Sequence, residues 1–217
     1  PRVVRRALRD PFLLRLVAKT YEKKEVPPTL KPAEVWKTYL NGLLETHKLK
    51  QEDLQFLRQD LMPLMFREGH YANAITAQQV NTATTLGGKP LFELIHNDGL
   101  LDLHKKRRVN QSYRNLGDAG ILVQRGTALD YEISFQYERA YEFFAGEHLH
   151  TSSQEAPDPV EFYRQVIAAL SDHLFLWGAL IRALALELSH GNSETFLALF
   201  PEARENRLLR SALTGAL

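Results

Sequence analysis

The residues that could act on a ligand or a nucleic acid fall in a few short stretches. Gly87-Gly88-Lys89-Pro90 joins glycines to a lysine, as a phosphate-binding loop does. Such a loop requires Gly-x-x-x-x-Gly-Lys followed by Ser or Thr, so that backbone N–H groups cradle the phosphates and the hydroxyl holds magnesium. Here the spacing and the hydroxyl are both missing, and the stretch reads as a turn. No acidic run after a strand offers a magnesium carboxylate either. The chain is therefore expected to hydrolyse neither ATP nor GTP by itself, and it offers no catalytic residues.

The eight histidines are His47, His70, His96, His104, His148, His150, His173 and His190. Only His148 and His150 are close in sequence, and residues two apart on a helix do not share a face, so they make a poor metal pair. No His-Glu-x-x-His and no Gly-x-Ser-x-Gly occurs. Surface or interhelical histidines, with no metal, are the expectation. The remaining stretch is His104-Lys105-Lys106-Arg107-Arg108, which runs into Val109-Asn110-Gln111-Ser112-Tyr113-Arg114-Asn115. On a helix docked in a major groove, Lys105, Lys106, Arg107 and Arg108 would hold phosphates while Asn110, Gln111 and Arg114 read base edges. The same residues also suit a solvated face, or a patch that meets another domain or subunit, and the near-zero overall charge favours those readings.

The elements that must position these residues are bounded by composition. The 217 residues carry 27 Lys+Arg against 26 Asp+Glu, 44% hydrophobic residues and no cysteine. That length suits one large domain or two small ones with a substantial core. Near-neutral charge argues against a surface built throughout for nucleic acid or anionic membrane. The absence of cysteine removes disulfides, thiolate metal sites and cysteine nucleophiles together, and fits a reducing compartment. No apolar run reaches the ~18 residues needed to span a bilayer. The chain starts at Pro1 and Leu208 to Leu217 reads as a helix cut mid-array, so a piece of a longer protein is expected.

Periodicity then divides the chain. Asp10-Pro11 is a cap-plus-proline helix start, followed by Leu13, Leu16 and Val17 at helical spacing, and Val26-Pro27-Pro28 stops that helix. Pro32 restarts one through Trp36, Tyr39 and Leu43. A third is expected from Glu52 to Phe66, kinked or ended near Pro63. Thr76-x-x-Gln79 is a capping-box pattern, a short helix spans about Leu91 to Asn97, and another runs from Val109 to Leu116. Ile121–Gln124 and Tyr131–Phe135 flank a loop containing Gly126, as a hairpin requires. Helices followed by one hairpin outline a winged helix. Glu138 to about His150 is helical again, Thr151 to Pro157 reads as a polar linker, and Asp158-Pro159 starts a further series of helices. The expected fold is mainly α: a helical lid bundle over 1–75, a winged helix over 76–150, and the start of a HEAT-like array over 151–217.

Three stretches, covering roughly residues 8 to 150, resemble one family in order and spacing. The first is Asp10-Pro11-Phe12-Leu13-Leu14-Arg15-Leu16-Val17-Ala18, with Val26-Pro27-Pro28 and the Trp36–Leu44 helix after it. The second is Leu116-Gly117-Asp118-Ala119-Gly120-Ile121-Leu122. The third is Phe135-Gln136-Tyr137-Glu138-Arg139-Ala140-Tyr141-Glu142-Phe143-Phe144-Ala145-Gly146, which is similar to a Phe-x-His-x-x-x-x-Glu-Phe-x-Ala-Ala signature. They resemble the signal-transducing NTPases of the STAND class, particularly those with NACHT-type modules.

The resemblance implies that Pro11 lies against a bound nucleotide at the base of the lid. It implies that position 137 faces the β-phosphate, where many members place a histidine and this chain has Tyr137. A phenol can donate a hydrogen bond there, but it carries no positive charge near neutral pH. Read from the residues alone, Phe135, Tyr137 and Phe143 equally suit core aromatics where strand meets helix. The resemblance further implies ADP or ATP in the full-length protein, shared with a missing upstream nucleotide-binding domain and with none bound by this chain alone, downstream sensor repeats, and homo-oligomerisation on activation; a cytoplasmic location and no membrane partner are expected. The expected function is a non-catalytic regulatory part that gates nucleotide-dependent switching in signalling, innate immunity or anti-phage defence. The lid and winged helix would close over ADP and swing away when ATP replaces it. The alternative is a winged-helix DNA-binding regulator with a helical ligand or dimerisation domain.

Overall fold

The computed structural model describes residues 11–22, 25–27, 32–67, 70–84, 91, 103–127, 130–204 and 206–217. The helix expected over Leu91 to Asn97, the Gly87–Pro90 turn and the Asp10 cap lie, in whole or in large part, outside these residues. The fold is mainly helical with a small three-stranded antiparallel sheet. Two compact units make it up, each assembled from two separated stretches: residues 1–60 with 76–137, and residues 61–75 with 138–217.

In the first unit, α1 (Pro11–Thr20) buries Leu13, Leu16 and Val17, one stripe at helical spacing. It packs on α2 (Pro32–Glu45), which buries Val35, Trp36, Tyr39, Leu40 and Leu43. The Trp36 and Tyr39 rings meet edge to face at 5.7 Å. α3 (Gln51–Phe56) starts where the Lys50 N–H donates to Asp53 Oδ2 at 2.8 Å. The helix then widens to π spacing over Leu57–Leu61 and resumes as α4 (Met62–Met65). Pro63 accounts for the break: it brings no N–H and its ring crowds the carbonyl one turn back. The single helix expected there is thus three pieces.

Thr76 caps α5 (Ala77–Thr82) as its spacing predicts, accepting from the Gln79 N–H at 3.3 Å while its own N–H donates to Gln79 Oε1 at 2.9 Å. α6 (Leu103–Asp118) starts six residues earlier than expected and includes the basic stretch. The hairpin lies at its expected place: β4 (Leu122–Gly126) pairs with β5 (Tyr131–Phe135), Leu122 opposite Phe135 and Gly126 opposite Tyr131. Tyr131, Ile133 and Phe135 alternate inward. The short β3 (Ala74–Thr76) completes the sheet in the order β3-β5-β4.

The second unit is a helical stack with one tiny hairpin. β1 (Phe66–Arg67) pairs with β2 (His70–Tyr71), a feature too short to show any alternation in sequence. Phe66 stacks on Tyr141, and the Tyr141 hydroxyl donates to the Ala72 carbonyl at 3.2 Å. α7 (Glu138–Glu155) and α9 (Leu176–Ser189) pack most closely, with α8 (Pro159–Ala169) beside α7. Gly146 allows that approach, because a Cβ there would lie 2.5 Å from Arg182 Cβ and 2.9 Å from the Ala179 carbonyl. Asp158 caps α8 through Val160 and Glu161 N–H groups at 2.9 and 3.0 Å. α10 (Ser193–Ala198) and α11 (Arg207–Ala216) follow.

The polar linker expected over Thr151 to Pro157 is instead helix as far as Glu155. Its polar side chains are used inside the unit. Ser153 is fully buried, and Thr151 Oγ1 donates back to the Glu147 carbonyl at 3.1 Å. Composition resembled a linker because these groups serve a buried carboxylate on α9.

Candidate functional site

α6 ends in a turn that shapes the first unit's cleft. The Ile121 N–H reaches back to the Leu116 carbonyl at 2.9 Å and the Gly120 N–H to Gly117 at 2.8 Å. Gly120 takes φ 70°, the left-handed conformation that such helix endings favour in glycine. A Cβ at Gly120 would also lie 2.9 Å from Gln136 Oε1. The turn is thereby fixed against the end of β5, where the Gln136 N–H donates to the Ile121 carbonyl at 2.9 Å.

Beside it opens a cleft of about 290 Å³. It is lined by Arg15, Leu16 and Lys19 of α1, Trp36 and Tyr39 of α2, and Gly117 to Gly120 with Gln136 and Tyr137. Lys19 Nζ donates to the Tyr39 hydroxyl at 3.3 Å and lies 5.3 Å from the ring centroid. The Tyr39 hydroxyl donates to the Ala119 carbonyl at 3.2 Å. A lysine, a tyrosine and the α6 turn are thus tied in series across the cleft.

Tyr137 lies half-buried in this cleft. Pro11 is the first residue of α1, whose next turns supply Arg15 and Lys19. Of the two positions singled out for nucleotide contact, Tyr137 lines the cleft and the side chain of Pro11 is outside the described residues. The sequence reading missed Arg15, Lys19, Tyr39 and Asp118. The available signal was the i, i+4 spacing of Arg15 and Lys19 on the polar face of α1.

The candidate nucleic-acid residues share α6. Lys105, Lys106, Arg107, Arg108 and Asn110 are on its first turns, and their side chains are outside the described residues. Gln111 and Arg114 are exposed. Gln111 donates to Asn115 Oδ1 at 2.7 Å, and Asn115 donates to Asp53 Oδ2 at 3.0 Å. Ser112 Oγ, itself buried, donates to Asp53 Oδ1 at 2.6 Å. The opposite side of the helix sends the Tyr113 hydroxyl to Gln124 Oε1 at 3.0 Å on β4. Burial first, and the neighbouring Tyr131 second, push the Tyr113 phenol up to about 12. Much of this polar helix is therefore spent on docking to α3 and the hairpin.

The second unit holds a different polar centre. Glu187 on α9 is fully buried and accepts from Ser153 at 2.5 Å, Tyr163 at 2.8 Å and Asn192 at 3.0 Å. Gln154 reaches both carboxylate oxygens, and His150 Nδ1 lies 3.0 Å from Oε1. Burial would raise this carboxyl, but the hydrogen bonds from Ser153, Asn192, Tyr163 and His150 outweigh it and hold the group below its usual value. Ser153 and Tyr163 are themselves fully buried against it, and the group ties α7, α8 and α9 together. Among the described residues, no group of three or more His, Asp or Glu is arranged to hold a metal ion, and no helix is long and apolar enough to cross a membrane. Compared with family models, curated proteins and solved structures, the chain gives no match.

Proposed function

We propose that this chain is the non-catalytic regulatory part of a STAND-like, NACHT-type signalling NTPase, comprising its helical lid, its winged helix and the start of a HEAT-like sensor array. The observation that carries the reading is the cleft of the first unit. Tyr137 lines it together with Arg15, Leu16 and Lys19 of α1, the helix that Pro11 opens. In this reading the cleft covers the phosphates of ADP, which a separate NTPase domain also holds, and exchange for ATP releases the cover. Nucleotide biases such a switch only by binding its two states unequally. The resting state therefore depends on contacts made through this cleft.

ADP titration of the intact protein containing this chain, wild type against Tyr137→Phe, tests the reading. A hydrogen bond to a charged acceptor is worth roughly 1.5–3 kcal/mol, so the variant should bind ADP about ten- to a hundredfold more weakly and signal more readily without its trigger. Equal affinities would remove Tyr137 from the site. A DNA-reading role draws less support, because of the three base-edge candidates Gln111 donates to Asn115, which with Ser112 docks α6 on Asp53.

A further inference from the structure

We propose that Arg15 and Lys19 make the cleft of the first unit a binding site for a phosphate ester that also carries hydroxyl groups, a sugar phosphate or nucleotide, in this chain by itself. The proposal rests on the reading above only for the identity of the nucleotide. Arg15 and Lys19 are the cationic residues lining the cleft, and one helical turn separates them, so their side chains leave the same face of α1. Lys19 is held by the Tyr39 hydroxyl and ring, which restricts the flexible stem before any ligand arrives. The guanidinium of Arg15 offers the planar fork that matches phosphate oxygens.

The rest of the lining narrows the ligand. The N–H groups of Ala119, Gly120, Ile121 and Gln136 all donate to carbonyls of the unit, so these amides are spent and the cationic side chains are the donors that suit an anion. Tyr137 and Gln136 add neutral polar groups to the lining. The positive charge of the lining is carried by α1. Asp118 lines the same cleft. Its carboxylate repels a bare anion and accepts from an O–H, which favours a phosphate ester bearing hydroxyls over an inorganic ion.

Calorimetric and amide-resonance titrations of the 217-residue chain at low salt test this with ADP, ribose 5-phosphate, pyrophosphate and adenosine. The expected result is binding of ADP and ribose 5-phosphate that shifts the Gly117–Gly120 amides, with adenosine silent. Arg15→Gln and Lys19→Gln should each weaken binding about tenfold or more, and Lys19→Arg should restore most of it. Asp118→Asn should raise the affinity for pyrophosphate. All four substitutions fall on exposed side chains, and unchanged thermal melts confirm that the fold survives them. The proposal is overturned if no phosphate compound binds, or if binding is indifferent to both glutamine variants. ADP binding that needs Tyr137 but neither cation would also overturn it while keeping the nucleotide reading. Equal binding of ribose 5-phosphate and ADP would uphold the phosphate site and count against an adenine-nucleotide switch.

Discussion

His148 and Glu187 make the second unit sensitive to acid over two successive pH ranges. His148 is pressed against the Phe66 ring, centroids 4.9 Å apart, and burial lowers its imidazole from the usual 6.5 to about 4. Between those values the unfolded chain binds a proton that the folded unit refuses, so stability falls as pH falls from 6.5 to 4. A shift of that size corresponds to about 3 kcal/mol. Glu187 acts lower down. Its carboxyl is held below 4.5 in the fold, so its contribution is present above that value and is lost as pH falls through the lowered one. His148→Phe should flatten the upper window and leave the lower one in place. Denaturant melts at pH 7 and pH 4.5 read this directly; the wild type should lose clearly more stability between them than the variant does. Equal losses would assign the acid sensitivity elsewhere.

Elements with a wide apolar stripe were legible in the sequence, and those held by polar contacts were not. α1, α2 and α9 follow the spacing of Leu, Val, Trp and Ala, and the Thr76 and Asp158 caps follow from residue type alone. The last turns of α7 were read as a linker because Thr151, Ser153 and Gln154 look solvated until Glu187, more than thirty residues away, is placed beside them. The cleft divides the same way. Tyr137 was reachable through a local motif, whereas Lys19 joins it only because Tyr39 and Ala119 meet across about eighty residues of chain. The α3–α6 contact is a third case, and it can be tested. Asp53 is buried and serves the Ser112 hydroxyl, the Asn115 amide and the Lys50 N–H. Asp53→Ala leaves two side-chain donors and one helix start without their acceptor, which should cost about 2–4 kcal/mol. Asp53→Asn, which keeps one carbonyl oxygen, should cost less. A change within about 0.5 kcal/mol for the alanine variant would mean that α6 docks through its apolar residues alone.

At the scale of the molecule, neither compact unit is a continuous length of chain, and this decides which fragments can fold. The second unit draws on residues 61–75 and 138–217. Within it, α9 meets α7 through the Gly146 approach, and Arg182 lies over the Phe143 ring at 5.0 Å. Tyr141 and Phe175 meet edge to face at 5.7 Å. A fragment that begins at Thr151 retains only the last turn of α7 and loses buried Tyr141, Phe143, Phe144 and Leu149. Burying four such side chains stabilises by about 6–12 kcal/mol, comparable with the whole stability of a small domain. It also loses His150 from beside Glu187. Helix propensity cannot compensate, since isolated helices of 10 to 14 residues, the lengths of α8, α9 and α11, are marginal in water. Residues 151–217 alone should therefore show weak helicity and no sigmoidal thermal transition by circular dichroism. Residues 138–217 keep all of α7 and should melt cooperatively, though below the intact chain, because Phe66 and Tyr71 no longer cover Tyr141 and His173. A cooperative transition in the 151–217 fragment at the temperature of the longer one would show that α8 to α11 form a self-sufficient array, and would remove α7 from its core.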